Sequence, residues 1–305
     1  MTFGSSEPGR GGDQAAAEGY LSVVGGEIWY GVVGAGGGVP LLTLHGGPGF
    51  PHDYLQPLAA LGDQRRVVFY DQLGCGRSEQ PNDPALWQIE RFVDEIARVR
   101  DALGLERVHL FGHSWGAMLA VDYLLTRPAG VVSAVLASPC LSMPRWIADL
   151  AAYRRELPAE IRATLDAHEA AGTTYTPAYG EACFAFYARH LCRQQPLPAP
   201  LLASMQSAGA PVYLQMWGPS EFYVTGSLAT YDRTDRLAEL AVPTLFTCGR
   251  YDEATPAATA WYASLVPGAE LAVFERSAHV PHLEEPQRYR EVVGDFLARA
   301  ERRGT

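Results

Sequence analysis

The 305-residue chain has no lysine; its 24 basic residues are all arginine, set against 34 acidic ones for a net charge of −10. No stretch concentrates the arginines, so the electrostatic footprint of a nucleic-acid binder is missing and no nucleic-acid partner is expected. No apolar run approaches the roughly 18–20 residues that span a bilayer, so no membrane partner is expected either. The opening segment, MTFGSSEPGRGGDQAAAEGY, lacks a basic stretch followed by an apolar core. It therefore does not read as a secretory leader, and residues 1–17 read as a disordered tail. Cysteine is scarce and odd in number: Cys75, Cys140, Cys183, Cys192 and Cys248 stand far apart, without metal-ligand spacing. That excludes a disulfide framework, predicts no metal site, and suits free thiols in a reducing, cytoplasmic setting.

What is present is enough apolar material, 48% of residues, to bury a large core. YLSVV and EIWYGVV predict an early hairpin turning at Gly25 and Gly26. VPLLTLH (39–45), RVVFYD (66–71), RVHLFG (107–112) and VVSAVLAS (131–138) are continuous apolar runs, the kind buried on both faces of a parallel sheet. Segments with helical spacing alternate with them, as in LWQIERFVDEIARVRDALGL. This order predicts an α/β fold with a mostly parallel central sheet. Residues 141–236 then carry helical patterns and prolines but no convincing strand, before VPTLFTCG (242–249) and ELAVFERSAH (270–279) resume the sheet. The expected organisation is a core of 18–140 and 237–305, with a helical cap, 141–236, inserted after the sixth predicted strand.

GHSWG (112–116) falls between a strand pattern and a helix pattern. In that context G-x-S-x-G describes a sharp turn that lifts a serine hydroxyl out for attack, the glycines permitting close approach of strand and helix. Ser114 is therefore the candidate nucleophile of an α/β-hydrolase fold. A serine needs a base, and the base an orienting acid, which in this architecture follow in the order acid, then histidine. Asp252 and His279 each lie just past a late strand. Asp232, Asp235 and His282 are the competing candidates. Oxyanion donors are expected from the Trp115 N–H, directly after the serine, and from Gly47 in the loop HGGPGFPHDYL. An aspartate at position 114 would suit a dehalogenase or epoxide hydrolase; the serine argues against both.

HGGPG (45–49), DQLGCGRS (71–78), GHSWGA (112–117), GRYDEATP (249–256) and SAH (277–279) together resemble the proline iminopeptidase family of α/β hydrolases, from about residue 18 to about residue 300. GPSEFYVTGSLATYD and GRYDEATP are most similar to the tricorn-associated aminopeptidases of that family. The resemblance implies a serine aminopeptidase that hydrolyses the amide after an N-terminal residue, with no cofactor. It implies a small peptide or aminoacyl-amide as partner, and Glu221 and Glu253 as carboxylates that hold the substrate ammonium. Some relatives remove an aminoacyl protecting group, such as alanyl, from a macrolactam antibiotic precursor, which makes antibiotic biosynthesis a second setting. An esterase or thioesterase on the same scaffold is the alternative, and would need neither glutamate. Among the cap aromatics Trp217, Phe222 and Tyr223, flanking Glu221, are expected to line the acyl pocket, with Tyr54 from the loop after HGGPG.

Overall fold

The computed structural model describes residues 17–303. The predicted tail lies outside these residues except for Ala17, which already belongs to the first strand. The strands are β1 (Ala17–Val23), β2 (Gly26–Leu44), β3 (Arg65–Tyr70), β4 (Val108–His113), β5 (Val131–Ala137), β6 (Thr244–Gly249) and β7 (Glu270–Phe274). β1 and β2 form the expected hairpin, with Gly25 at φ +100° in the turn. From β2 through β4, β5 and β6 to β7 all neighbours run parallel.

EIWYGVV and VPLLTLH are the two arms of one continuous extended stretch, the 19-residue β2. The first arm of β2 pairs with β3 antiparallel from Tyr30↔Tyr70 to Val33↔Val67; the chain then turns back through the glycine-rich stretch 34–38, and the second arm runs parallel to β3 at Leu41↔Val67 and Leu42↔Val68. Gly34, at φ +83°, lets this backbone pass so close to Gly62 that a Cβ would lie 2.3 Å from the Gly62 Cα. Both edges of β3 are thus covered by the two arms of β2, and with the arms counted separately the helical insertion follows the sixth strand, as expected.

The apolar runs alternate strictly between the two faces of the sheet. Leu42, Val68, Leu110, Leu136 and Phe246 join one core cluster, with α1 (Ile89–Ala102), α2 (Trp115–Leu125) and the insertion packed on it. Leu41, Val67, Phe111, Val135 and Leu245 join the other, with Tyr289, Val293, Phe296 and Leu297 of the C-terminal helix (Pro286–Arg303). A strand buried on both sides has no polar face, which is why β4 and β6 read as continuous apolar runs. The insertion contributes α3 (Met143–Arg155), α4 (Ala159–Ala171), α5 (Pro177–His190), α6 (Ala199–Gln206) and α7 (Ala210–Met216), and α8 (Pro256–Leu265) follows β6. α3 and α5 begin with a side-chain cap, Ser142 Oγ for Arg145 N and Thr176 Oγ1 for Tyr179 N, each followed by proline in the first turn. No helix among the described residues is long and apolar enough to cross a membrane.

Candidate active site

Ser114 follows β4 and starts α2 with φ +54° and ψ −117°, a conformation non-glycine residues rarely adopt. The flanking glycines show why the turn tolerates nothing larger. A Cβ on Gly112 would lie 2.3 Å from the Gly116 carbonyl oxygen, and one on Gly116 would lie 2.0 Å from that of Leu44. Strand, turn and helix are therefore in backbone contact, and the serine is held at the helix start, where peptide dipoles favour negative charge.

Asp252 and His279 arrive from the carboxyl ends of β6 and β7, the edge of an open sheet where ligand crevices form. His279 Nδ1 lies 2.7 Å from Asp252 Oδ1. The carboxylate, fully buried, also accepts from Ala254 N (2.8 Å) on Oδ1, and from Ser138 Oγ (2.7 Å) and Gly249 N (3.2 Å) on Oδ2. The contact with this carboxylate requires the proton on His279 Nδ1 and leaves the lone pair on Nε2. Ser138, just after β5, also sits 3.0 Å from the His279 carbonyl oxygen. The competing candidates go elsewhere. Asp232 is engaged by Ser142 and Thr234, and Asp235 lies in a short helical segment (Thr234–Glu239). His282 is buried, with neither ring nitrogen hydrogen-bonded, and burial pushes its pKa down to about 3.

The HGGPG loop lies beside the serine: the Cβ position of Gly46 is 3.3 Å from Ser114 Cβ. The loop is held by two imidazoles. His45 Nε2 accepts from Gln72 N (2.9 Å), leaving Nδ1–H for the Gly46 carbonyl (2.9 Å). Burial accordingly lowers the His45 pKa to about 4, so the ring is neutral. The Gly46 N–H donates to the Tyr54 hydroxyl (2.8 Å), which in turn reaches His113 Nδ1 (2.9 Å). His113 Nε2 meets the His279 carbonyl at 2.8 Å. That last bond needs a proton on Nε2, so Nδ1 accepts from Tyr54, and the polarity of the whole chain is fixed. Burial, with His279 and His282 nearby, holds His113 well below the ordinary imidazole value.

Ser114, His279, Gly47 and Tyr54 border one cavity of about 290 Å³. Its walls are mostly apolar and include Phe50, Phe184, Tyr187, Leu201, Met205 and Tyr213. Its polar pole is made by Glu221 and Glu253. Glu221 accepts from the Tyr213 hydroxyl at 2.7 Å; Glu253 is 1% exposed, and neither of its carboxyl oxygens is hydrogen-bonded. Burial raises both acids above the usual carboxylate range, and Glu253 is raised further by Glu221 and then Asp252. Glu253 is thus a buried carboxyl with both oxygens unpaired beside a Glu221 that has a tyrosine donor, an arrangement able to receive a cation.

The pocket expectation is corrected for three aromatics. Trp217, Phe222 and Tyr223 do not border the cavity. Trp217 is fully buried edge-on to Trp146 (5.5 Å), and Phe222 packs against Phe186 (5.1 Å). Tyr223 leans on the same core cluster. Flanking Glu221 in sequence did not bring them to its face of the backbone. Tyr54 does border the cavity, and also carries the hydrogen-bond chain just described. His113 and Ser138 were missed altogether: position 113 is adjacent to the serine, but no spacing rule marks it. Asp71, in the neighbouring loop DQLGCGRS, accepts the Arg77 backbone N–H (2.9 Å) and binds His52 (2.7 Å), while the Arg77 guanidinium lies over Trp29. Cys75 is fully buried beneath the loop, 3.5 Å from His45 Nε2, and burial raises its thiol pKa well above the usual value. Among the described residues no cluster of His, Cys, Asp or Glu could hold a metal.

Residues 39–286 match the α/β hydrolase fold family. A proline iminopeptidase of Heyndrickxia coagulans is 45% identical over 92% of this chain and 98% of its own length. One from Saccharolobus solfataricus is 35% identical over 92% of both. Among solved structures, VinJ superimposes with a TM-score of 0.91 at 40% identity, covering 94% of this chain and 99% of its own. The proline iminopeptidase of Mycobacterium smegmatis gives 0.87 at 38%, covering 95% and 100%. The chain therefore belongs to the proline iminopeptidase family of α/β hydrolases, and it is a hydrolase of that aminopeptidase kind.

Proposed function

We propose that the chain is a serine aminopeptidase that hydrolyses the amide following an N-terminal residue with a free α-amine. The observation that carries this reading is the placement of Glu221 and Glu253 in the same cavity as Ser114 and His279. An ammonium leaving water for an apolar cavity needs ionic partners, and each charge-assisted contact contributes about 1.5–3 kcal/mol. With the amine fixed at that pole, the first carbonyl of the substrate is the one presented to Ser114, so the carboxylates measure one residue from the terminus.

In this mechanism Ser114, Asp252 and His279 are the catalytic triad. His279 Nε2 takes the Ser114 proton as the hydroxyl attacks the carbonyl. Trp115 and Gly47 N–H groups stabilise the oxyanion, and His279 then protonates the departing amine. Water repeats the cycle to free the amino acid, and no cofactor or metal takes part. Residues 18–140 with 237–305 supply this chemistry, and 141–236 act as a cap that supplies the ammonium site through Glu221 and most of the apolar wall. Prolyl substrates fit the family and the modest cavity. The second reading, removal of an aminoacyl group from a bulky natural-product amine in antibiotic biosynthesis, draws on the wall itself: Phe184 and Met205 border the cavity and are half-exposed. Five buried free cysteines suit work in the cytoplasm.

The test is turnover of prolyl, alanyl, glycyl, leucyl and phenylalanyl naphthylamides beside N-acetyl-alanyl naphthylamide. Cleavage of the free-amine amides alone supports the reading and ranks the residue. Cleavage of the acetylated compound at a comparable rate removes the free-amine requirement, and hydrolysis of a simple 4-nitrophenyl ester with none of the amides would favour an esterase.

A further inference from the structure

Glu253 stands in a second relationship besides its place at the cavity pole. Its Oε1 is 3.7 Å from His279 Nε2, a few tenths of an ångström outside hydrogen-bond range, on the side of the ring opposite the Asp252 contact. Nε2 is the atom that must be free to take the serine proton. Neither Glu253 oxygen has a hydrogen-bond partner, so the imidazole lone pair is a polar acceptor within easy reach. We propose that in the free enzyme Glu253 carries a proton directed at His279 Nε2, and that the substrate ammonium, by pairing with Glu221 and Glu253, expels this proton and frees the base. This deepens, and rests on, the aminopeptidase reading: the amine that selects the substrate also switches on the chemistry.

The surroundings favour the protonated acid before substrate arrives. The titratable groups that face Glu253 are Glu221, Asp252 and His279, with Tyr187 from α5, Tyr213 from α7 and Cys140 after β5 sensing both glutamates. Two carboxylates and a buried aspartate on one site cannot all ionise cheaply. A protonated Glu253 has a single hydrogen to donate, and donation to Nε2 blocks general-base catalysis. On binding, the Glu253 O–H bond breaks, the proton leaves to solvent, and the carboxylate so formed takes the ammonium. His279 then faces only Ser114. Substrates that lack the amine meet an enzyme whose base is occupied, so discrimination enters the chemical step as well as binding.

The test uses an amine-free substrate, 4-nitrophenyl acetate, with methylammonium chloride as the separate cation and sodium chloride matching ionic strength. Wild-type ester turnover should rise severalfold with methylammonium at matched ionic strength. Glu253→Ala should show that faster ester turnover without methylammonium, and no further rise on adding it. The same variant should lose about 10–100-fold in kcat/KM for aminoacyl amides, the range a lost charge-assisted contact implies. Opposite movement of the two substrates is the signature; a residue that only shapes the pocket would slow both. Ester turnover indifferent to methylammonium overturns the proposal, and this arm needs no variant to fold. If wild type cleaves no aminoacyl amide, the aminopeptidase reading falls, and the ester arms still decide whether Glu253 occupies the base.

Discussion

The Tyr54 hydroxyl joins the HGGPG loop to His113: it accepts the Gly46 N–H at 2.8 Å and donates to His113 Nδ1 at 2.9 Å. Through His113 the loop is tied to the backbone of His279 itself. Tyr54→Phe removes one oxygen and leaves a buried donor and a buried acceptor unmatched. We expect a loss of about 1–3 kcal/mol in stability, read by urea unfolding, and a fall in kcat larger than any change in KM. An unchanged kcat would mean that the loop holds its geometry without this bond.

Ser114→Ala should abolish turnover with the fold intact, as judged by an unaltered thermal transition. Asp252→Asn keeps the shape but removes the acceptor that fixes the His279 tautomer. By the behaviour of serine triads, kcat should fall by about four orders of magnitude. A variant at either position with near-wild-type kcat would remove the proposed triad.

Gly116→Ala tests the elbow mechanically. Its Cβ would collide with the backbone carbonyl of Leu44 at 2.0 Å, and a carbonyl in a parallel ladder cannot swing aside. Destabilisation should exceed the roughly 1–3 kcal/mol typical of overpacked cores, and activity should fall even in the folded fraction. Gly172→Ala serves as the comparison: a Cβ there meets nothing within 4 Å, so only the strain of φ +65° remains.

Acid should unfold this protein earlier than its surface charge suggests. His45 and His109 have their pKa lowered to about 4 by burial, and His282 to about 3. The unfolded chain takes up these protons near pH 6.5, the folded one only near 4, so the unfolded state binds more protons in between. Stability is therefore whole above about pH 6.5 and drains away as pH falls towards 4. Buried His45 alone contributes on the order of 3 kcal/mol to that loss. A denaturation midpoint that stays level from pH 7 to pH 4.5 would contradict the neutral, buried assignment.

Glu253 carries the opposite sign. Its pKa is raised in the fold, chiefly by burial, so its contribution is present below about pH 4.5 and lost as pH rises. Glu253→Gln should raise the Tm at pH 8 by at least about 2 °C, with the gain shrinking towards pH 5, while aminoacyl-amide turnover falls. Thermal scans at the two pH values check both the sign and the trend.

Much of this architecture is legible from sequence because strands buried on both faces and a glycine-flanked serine leave local signatures. The β4 run and GHSWG point to Ser114 without any knowledge of the rest of the chain. Asp252 and His279 are readable from their place after strands. Side-chain direction is another matter. Trp217, Phe222 and Tyr223 lie near Glu221 along the chain yet face the helical core, because the turn at Gly218 (φ +142°) and the contacts with Trp146 and Phe186 decide their direction. The stretch Gly26–Leu44 reads as two strands because its two arms run along opposite edges of β3, joined through the glycines of 34–38. His113 and Ser138 act by bonds between segments 100 or more residues apart, which no local pattern encodes.

Ser138, in its left-handed conformation (φ +48°), stands just where the chain leaves β5 for α3. Its hydroxyl grips Asp252 and the His279 carbonyl, both of which come from beyond the insertion. The point where the chain departs for 141–236 is thus tied to the two segments that follow its return, and the insertion adds a tie of its own, the Leu191 carbonyl accepting the His279 N–H at 3.0 Å. Such a joint works like a keystone: a single hydroxyl indexes the two returning segments to the point of departure, so Asp252 and His279 keep their spacing across the longest detour between neighbouring strands.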